Sequence, residues 1–136
     1  MGNVVRSEAF HLIRRVMQEH TATWNYRLPE MTKPQYAVLR AISESPGLEQ
    51  SALLEPAVAT KATLTELLKR LENRGWVART RDELDRRRWY VFLTKDGQAA
   101  LSDAQHMAAA TDEVFLSKLD KEEQKLLVKA LKKMLD

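Results

Sequence analysis

The chain has 136 residues, 44% of them hydrophobic, and a formal net charge of +3 from 22 basic and 19 acidic side chains. This length is typical of a single domain, and the absence of cysteine excludes disulfides, thiol redox switches and cysteine-based metal sites. Neither a signal-peptide run nor a membrane-length apolar stretch is present, so we expect a cytoplasmic protein without a membrane partner.

Charge is distributed unevenly along the chain. Residues 1–59 carry six basic and six acidic side chains and are neutral, whereas residues 96–136 carry six basic and eight acidic ones, a net −2. Residues 60–95 carry ten basic and five acidic side chains, a net +5. Such a local excess is typical of a phosphate-binding surface, and the alternative interpretation is an ordinary solvated face.

The first predicted element is a long helix from residue 4 to about residue 27. Its apolar residues recur at three- and four-residue steps and are Phe10, Ile13, Met17, Trp24 and Leu28. His20 falls on the same stripe, while His11 and Arg15 lie four residues apart on a neighbouring face. A helix of this length exceeds what one small domain can cover, which suggests a partner chain.

A second helix is predicted to begin at Thr32, because Thr32-Lys33-Pro34-Gln35 has the form of a capping box with proline in the first turn. Its apolar positions are Tyr36, Ala37, Leu39 and Ile42. The sequence Ser45-Pro46-Gly47 ends this helix. We expect Leu48 to pair as a short strand and residues 50–56 to form a short helix that turns into the next one.

The helix from Thr60 to about Gly75 has two distinct faces. Thr60 is a natural N-cap, and Gly75 suits the left-handed conformation that ends a helix. The packing face carries the leucines Leu64, Leu67, Leu68 and Leu71. The other face carries Lys61, Thr63, Thr65, Lys69 and Arg70. A second helix that follows a short helix and a turn is placed to enter the DNA major groove.

Residues 76–94 are predicted to form a β-hairpin. Two segments rich in β-branched and aromatic residues, WVARTRD and RWYVFLT, flank the charged, turn-like segment ELDRR. A helix, a hairpin and a basic tip in this order describe a winged helix-turn-helix. The predicted fold is therefore mainly α with a small β-hairpin, and the hairpin forms the wing.

Two further helices are predicted after the hairpin. Thr94 can cap an alanine-rich helix that runs to about Leu116, and Asp120 and Glu123 form a capping box for the last helix. The apolar face of the last helix carries Leu127, Ala130, Leu131 and Met134. We expect a single domain over 1–136, in which 1–30 and 98–136 are dimerisation helices and 31–97 is the winged-helix DNA-binding lobe.

Three motifs give the chain a resemblance to a known family. They are Leu71-Glu72-Asn73-Arg74-Gly75, Asp85-Arg86-Arg87 and Leu93-Thr94-Lys95-Asp96-Gly97. In combination they resemble the MarR family of bacterial winged-helix regulators, over nearly the whole chain. The stretch TKPQYAVLRAI most resembles the branch of that family that senses small aromatic acids.

The resemblance implies a transcriptional regulator without a cofactor. It implies a homodimer bound to a pseudo-palindromic site on double-stranded DNA, with repression as the commoner arrangement in the family. It also implies release of the DNA by a small aromatic carboxylate of the hydroxybenzoate or hydroxynicotinate type.

The expected DNA contacts are of two kinds. Those expected to neutralise phosphates are Lys69, Arg70 and Arg86. The helix from Thr60 to about Gly75 is called the reading helix below. The residues at its start that are expected to lie near base edges are Thr60, Lys61, Thr63 and Thr65. At the wing tip Asp85 can pair with Arg87, and the resemblance implies that Arg87 enters the minor groove. The simpler alternative is that Asp85 and Arg87 only stiffen the turn.

The candidate effector site uses residues of the first two long helices. An aromatic acid needs a planar apolar slot and a cation or hydrogen-bond donors for its carboxylate. The candidates are His11, Arg15, His20, Trp24 and Tyr36. Each also has a structural interpretation, with Trp24 and Tyr36 in the core, His20 at an interface and Arg15 on the surface.

The sequence predicts no enzymatic activity, because it contains no nucleophile elbow, no phosphate-cradling glycine loop and no spaced set of metal ligands. Two other functions remain open as alternatives. One is a winged helix that binds protein rather than DNA, because a fold does not determine a function. The other is a DNA-binding protein that responds to no ligand.

Overall fold

The structure is a computed structural model that describes the backbone of residues 2–136 and the side chains of residues 8–136. The predicted fold class is confirmed: helices dominate, and the strands form one small sheet. The elements are α1 (Gly2–Arg27), α2 (Lys33–Glu44), β1 (Leu48–Glu49), a 3₁₀ helix (Gln50–Leu53), α3 (Leu54–Ala57), α4 (Lys61–Asn73), β2 (Val77–Arg81), β3 (Trp89–Leu93), α5 (Lys95–Leu116) and α6 (Lys121–Leu135).

Two of the helices begin at the capping boxes that the sequence predicts. Thr32 Oγ1 accepts the Gln35 N–H at 3.2 Å, and Gln35 Oε1 accepts the Thr32 N–H at 3.0 Å. Asp120 and Glu123 make the same reciprocal pair at 2.8 and 3.0 Å, which opens α6. Each box satisfies two backbone donors that the first turn of a helix leaves without an intrahelical partner.

The three strands form one antiparallel sheet in the order β1-β3-β2. Val77 of β2 pairs with Leu93 of β3, and Leu48 of β1 pairs with Val91 on the other side of β3. The predicted hairpin and the predicted short strand at Leu48 are therefore confirmed. Because β3 is the central strand, the wing is attached to the helix-turn-helix through β1.

Residues 28–106 form one compact unit with its own core. Its largest fully buried side chains include Leu39, Ile42, Leu53, Leu68, Leu71 and Val91. On α2 the buried residues are Gln35, Val38, Leu39 and Ile42. These residues follow the i, i+3, i+4, i+7 spacing of one helical face. Tyr36 and Ala37, which were predicted on that face, are only half-buried because they lie beside it.

Residues 1–27 and 107–136 form a second compact unit, and few of its side chains are buried. Among its described side chains the buried ones are Trp24, Ala108 and Thr111. Its exposed large apolar residues include Phe10, Leu12, Ile13, Val16, Met17, Tyr26, Met107, Leu126, Leu127, Val128, Leu131, Met134 and Leu135. No helix in the described part of the chain is long and apolar enough to cross a membrane.

Candidate nucleic-acid interface

The start of α4 is exposed, and threonine side chains fix its backbone. Thr60 Oγ1 accepts the Thr63 N–H at 3.3 Å and donates to Thr63 Oγ1 at 3.1 Å, so the predicted N-cap is confirmed. Thr65 Oγ1 donates to the Lys61 carbonyl at 2.9 Å within the helix. The side chains of Lys61 and Thr63 are exposed, and Thr65 is half-buried. The residues predicted to approach base edges therefore lie together on one accessible turn.

The two basic residues further along α4 remain at the surface. Lys69 and Arg70 are both exposed. The Lys69 ammonium lies 3.9 Å from Glu66 Oε1 one turn earlier, a surface pair that contributes little to stability and leaves the lysine accessible. Both residues are accessible, and the phosphate contacts expected of them stay a prediction.

The wing tip holds one arginine in a defined direction. Asp85 Oδ1 accepts Arg87 Nε at 3.1 Å, and Asp85 Oδ2 accepts Arg87 Nη2 at 3.3 Å, so the pair is bidentate. The Arg87 side chain holds the pKa of Asp85 below its ordinary value. Arg87 itself is 91% exposed, so its guanidinium is directed while remaining open to a partner. Neighbouring Arg86 is exposed as well.

A shallow groove lies between the start of α4 and the base of the wing. Its volume is about 270 Å³. Its lining includes Ser51 after β1, Lys61 and Thr65 from α4, and Arg87 and Trp89 from the wing. The groove therefore brings residues of the reading helix and of the wing to one face of this unit.

Besides Arg87, three further arginines of the basic segment are held by carboxylates. Arg79 Nε donates to Glu72 Oε1 and Arg79 Nη1 to Gln50 Oε1, both at 2.9 Å, and the guanidinium stacks 4.6 Å from the centre of the Trp89 ring. The carboxylate partners of Arg74 and Arg88 are Glu30 and Glu49. Glu30 and Glu49 lie outside residues 60–95, so their negative charges were not included in the net charge of +5 for that segment. The net charge that the segment presents to solvent is therefore lower than +5.

Sequence reasoning did not single out Arg79 or Asp82. Arg79 ties α4, the 3₁₀ helix and β3 together, and Asp82 accepts hydrogen bonds from the wing turn and from Tyr90. The Asp85 N–H, the Tyr90 hydroxyl and the Leu84 N–H hold the pKa of Asp82 below its ordinary value. An Asp side chain that accepts the backbone N–H two residues later is a known turn signal, and it could have indicated Asp82. No local signal indicates Arg79.

The candidate effector residues are only partly brought together. In the unit of residues 1–27 and 107–136, His20 Nε2 lies 2.7 Å from Asp112 Oδ1, and the His20 ring centre lies 6.1 Å from Trp24 and 5.5 Å from Phe115. His20 lines a mainly apolar cavity of about 530 Å³. His11 and Arg15 are exposed on α1 and do not line it.

The remaining candidate, Tyr36, belongs to the unit of residues 28–106, where the Arg40 guanidinium lies 5.9 Å from its ring centre. Sequence reasoning missed the two residues of α5 that adjoin His20, Asp112 and Phe115. Their separation from His20 by more than ninety residues left no local pattern that connects them.

Comparisons with known proteins place the chain among transcriptional regulators. The MarR family profile matches residues 31–89. The transcriptional regulator HosA of Escherichia coli O157:H7 is 51% identical over 132 residues, which cover 97% of this chain and 98% of HosA.

Two solved structures extend the comparison to the whole fold. The Streptomyces coelicolor regulator PcaV, in complex with its natural ligand, superposes with a TM-score of 0.89 at 33% identity, covering 97% of this chain and 94% of PcaV. Bordetella bronchiseptica BpsR, whose DNA binding is regulated by 6-hydroxynicotinic acid, superposes with a TM-score of 0.87 at 28% identity, covering 95% of this chain and 99% of BpsR.

The exposed reading helix, the directed arginine on the wing and the identity with HosA over almost the full length lead to one assignment. They confirm the prediction that the chain is not an enzyme, and they favour a winged helix that binds DNA over one that binds protein. The chain belongs to the MarR family of winged-helix, DNA-binding transcriptional regulators, which are not enzymes.

Proposed function

We propose that the protein is a homodimeric repressor that binds a pseudo-palindromic operator and is released from it by a small aromatic carboxylate. The observation that carries this proposal is the wing tip, where Asp85 directs an otherwise exposed Arg87 in the same compact unit as the capped, exposed start of α4. A helix for the major groove and an arginine for the minor groove are the two parts that such a protein needs.

The proposed DNA contacts are of two kinds: base contacts, which provide specificity, and phosphate contacts, which set the register on the duplex. Lys61, Thr63 and Thr65 read base edges, where a lysine can bond guanine acceptors and a threonine methyl can meet the methyl of thymine. Thr60 caps the first turn of α4, and its exposed side chain lies beside these residues as a further DNA contact. Phosphate neutralisation falls to Lys69, Arg70 and Arg86.

A second copy of the chain is the proposed partner of the unit formed by residues 1–27 and 107–136. The last helix, α6, has no buried residue although it carries a row of apolar side chains, among them Leu127, Leu131 and Met134. Covering this surface with a symmetric copy buries it. Two-fold symmetry then offers two reading helices to half-sites about 34–36 Å apart.

The effector proposal rests on the cavity beside His20 and on the relatives. The cavity offers an apolar wall that includes Phe115 and Leu116, and His20, whose Nε2 lies against Asp112 Oδ1, lines the same cavity as the candidate for contact with a carboxylate. We retain His11, Arg15, Trp24 and Tyr36 as further candidates. Regulation of BpsR by 6-hydroxynicotinic acid supports a hydroxynicotinate or hydroxybenzoate as the class of effector. Binding shifts the population toward a dimer with the wrong helix separation.

Arg87→Ala tests the DNA-binding proposal. We expect it to weaken binding to the promoter duplex upstream of the protein's own gene by about 1–3 kcal/mol in fluorescence anisotropy, because the minor-groove contact is lost. Lys129→Ala, which removes a positive charge from α6, is the matched control and should bind normally. Unchanged affinity of Arg87→Ala would remove the wing from the mechanism.

A ligand titration tests the effector proposal separately. 6-Hydroxynicotinate and 4-hydroxybenzoate are expected to raise the melting temperature and to release the promoter duplex, whereas the corresponding neutral primary amides should do neither, because they lack the carboxylate. His20→Ala should reduce both effects while it leaves DNA affinity without ligand unchanged. A protein that shows neither a thermal shift nor DNA release with these acids would contradict the proposal.

A further inference from the structure

Asp82 follows the last residue of β2, and its carboxylate organises the turn of the wing. Oδ1 accepts the backbone N–H of Leu84 at 2.8 Å and that of Asp85 at 2.9 Å. Oδ2 accepts the hydroxyl of Tyr90 on β3 at 2.7 Å. One carboxylate thus connects both sides of the hairpin to two backbone groups at its tip.

A second carboxylate extends these contacts to Arg87. The Asp85 N–H is bound to Asp82, and the Asp85 carbonyl accepts the Arg88 N–H at 3.0 Å. The Asp85 side chain then binds the guanidinium of Arg87. Among the described side chains no other group hydrogen-bonds that guanidinium, so its direction depends on where the backbone holds Asp85.

We propose that Asp82 is a positioning residue for DNA binding, which holds the wing turn in the conformation from which Arg87 can enter the minor groove and which does not itself contact DNA. This inference rests on the role proposed above for Arg87. A turn held before binding reduces the conformational entropy that binding must remove, and a short acidic side chain that accepts N–H groups two and three residues later is suited to that purpose.

A pure charge effect and a positioning role predict opposite effects of Asp82→Ala on DNA affinity. If Asp82 acted only through its charge, Asp82→Ala should bind DNA more tightly, because removing a carboxylate near the phosphates reduces repulsion. Glu83, the next residue, is exposed and accepts no hydrogen bond in the described structure. Glu83→Ala therefore measures the effect of charge, whereas Asp82→Ala removes the same charge together with three hydrogen bonds.

The experiment measures promoter-duplex affinity of the full-length protein in one buffer by fluorescence anisotropy. The variants are Asp82→Ala, Asp82→Asn, Glu83→Ala, Arg87→Ala and the double variant Asp82→Ala/Arg87→Ala. We expect Asp82→Ala to weaken binding about tenfold or more, and Glu83→Ala to leave it equal or tighter. Asp82→Asn should restore most of the affinity, because its amide oxygen can still accept both N–H groups. Circular dichroism and light scattering verify that each variant keeps its helices and its oligomeric state.

The double variant separates positioning from a general loss of structure. If Asp82 acts through Arg87, the double variant should bind about as weakly as Arg87→Ala alone, because the two changes remove the same contact. Additive losses, or an Asp82→Ala protein that binds as well as Glu83→Ala, would overturn the inference and leave the role of Arg87 intact. Normal binding by Arg87→Ala would overturn both the inference and the proposed role of the wing.

Discussion

At the scale of single residues, Val58 occupies a backbone conformation that its side chain disfavours. It lies in the turn between α3 and α4, with φ of 51° and ψ of 52°, and its side chain is 91% exposed. A β-branched residue in the left-handed region is an outlier, because its Cβ substituents crowd the backbone. The exposed side chain recovers little of this cost through packing. The turn of the helix-turn-helix is therefore a local weakness in the stability of the protein.

Replacing this residue tests the strain directly. We expect Val58→Gly to raise the free energy of unfolding by roughly 1 kcal/mol in urea denaturation, because glycine adopts a positive φ without a steric penalty. Val58→Ala is the matched control: it keeps a Cβ in the left-handed region and should gain much less. A glycine variant less stable than the alanine variant would contradict the strain interpretation.

At the scale of elements, one glycine joins the first turn of α5 to the start of the hairpin. The Thr94 N–H donates to the Trp76 carbonyl at 3.1 Å, and the Gly97 N–H donates to Thr94 Oγ1 at 3.0 Å. A Cβ on Gly97 would lie 1.9 Å from the Trp76 oxygen and 2.8 Å from its carbonyl carbon. This close approach of two backbones gives a physical reason for the Leu-Thr-x-x-Gly motif.

Gly97→Ala should lower the free energy of unfolding by about 1–3 kcal/mol, since the added methyl forces the Trp76 carbonyl to move. The sign is informative, because alanine in an unobstructed helical position would stabilise the protein by about 1 kcal/mol. Gln98→Ala, exposed in the same turn, is the control and should be neutral or slightly stabilising. Chemical denaturation of both variants provides the comparison, and equal effects would disprove the steric argument.

The elements were predictable because their signals are local. Thr32 and Gln35 are three residues apart, as are Asp120 and Glu123, and Gly75 has the positive φ of 77° that a helix end favours. The contacts of the site depend on residues distant in sequence. Asp112 contacts His20 although the two residues are ninety-two positions apart in the sequence, so no local spacing rule predicts the contact.

At the scale of the whole molecule, the two compact units differ in how well each covers its own apolar residues. The unit of residues 28–106 buries a dense set of leucines, isoleucine and valines. In the unit of residues 1–27 and 107–136, Leu131 remains 40% exposed and Met134 57% exposed. An exposed apolar surface of this kind usually marks an interaction site.

Leu131→Glu tests the use of this surface. We expect it to reduce the mass measured by light scattering from that of a dimer to that of a monomer, since each leucine buried in a symmetric interface contributes about 1.5–3 kcal/mol. Lys129→Glu also introduces an acidic side chain on α6, at an exposed position turned well away from Leu131 around the helix, and should leave the mass unchanged. A Leu131→Glu protein of unchanged mass would place the interface elsewhere.

The carboxylate partners of Arg74, Arg79 and Arg88 have a consequence for how DNA binding depends on salt. Arg74, Arg79 and Arg88 are paired with carboxylates and are less than half exposed, whereas Lys69 and Arg87 are paired but remain mostly exposed. If the three less exposed arginines displace no counterions from DNA, at most seven of the ten basic residues in 60–95 do so in each protomer. For a dimer the slope of log K against log salt concentration should then be no steeper than about −13, compared with about −18 if all ten contributed. A steeper slope would mean that these ion pairs open when the duplex binds or that basic residues outside 60–95 also contact it.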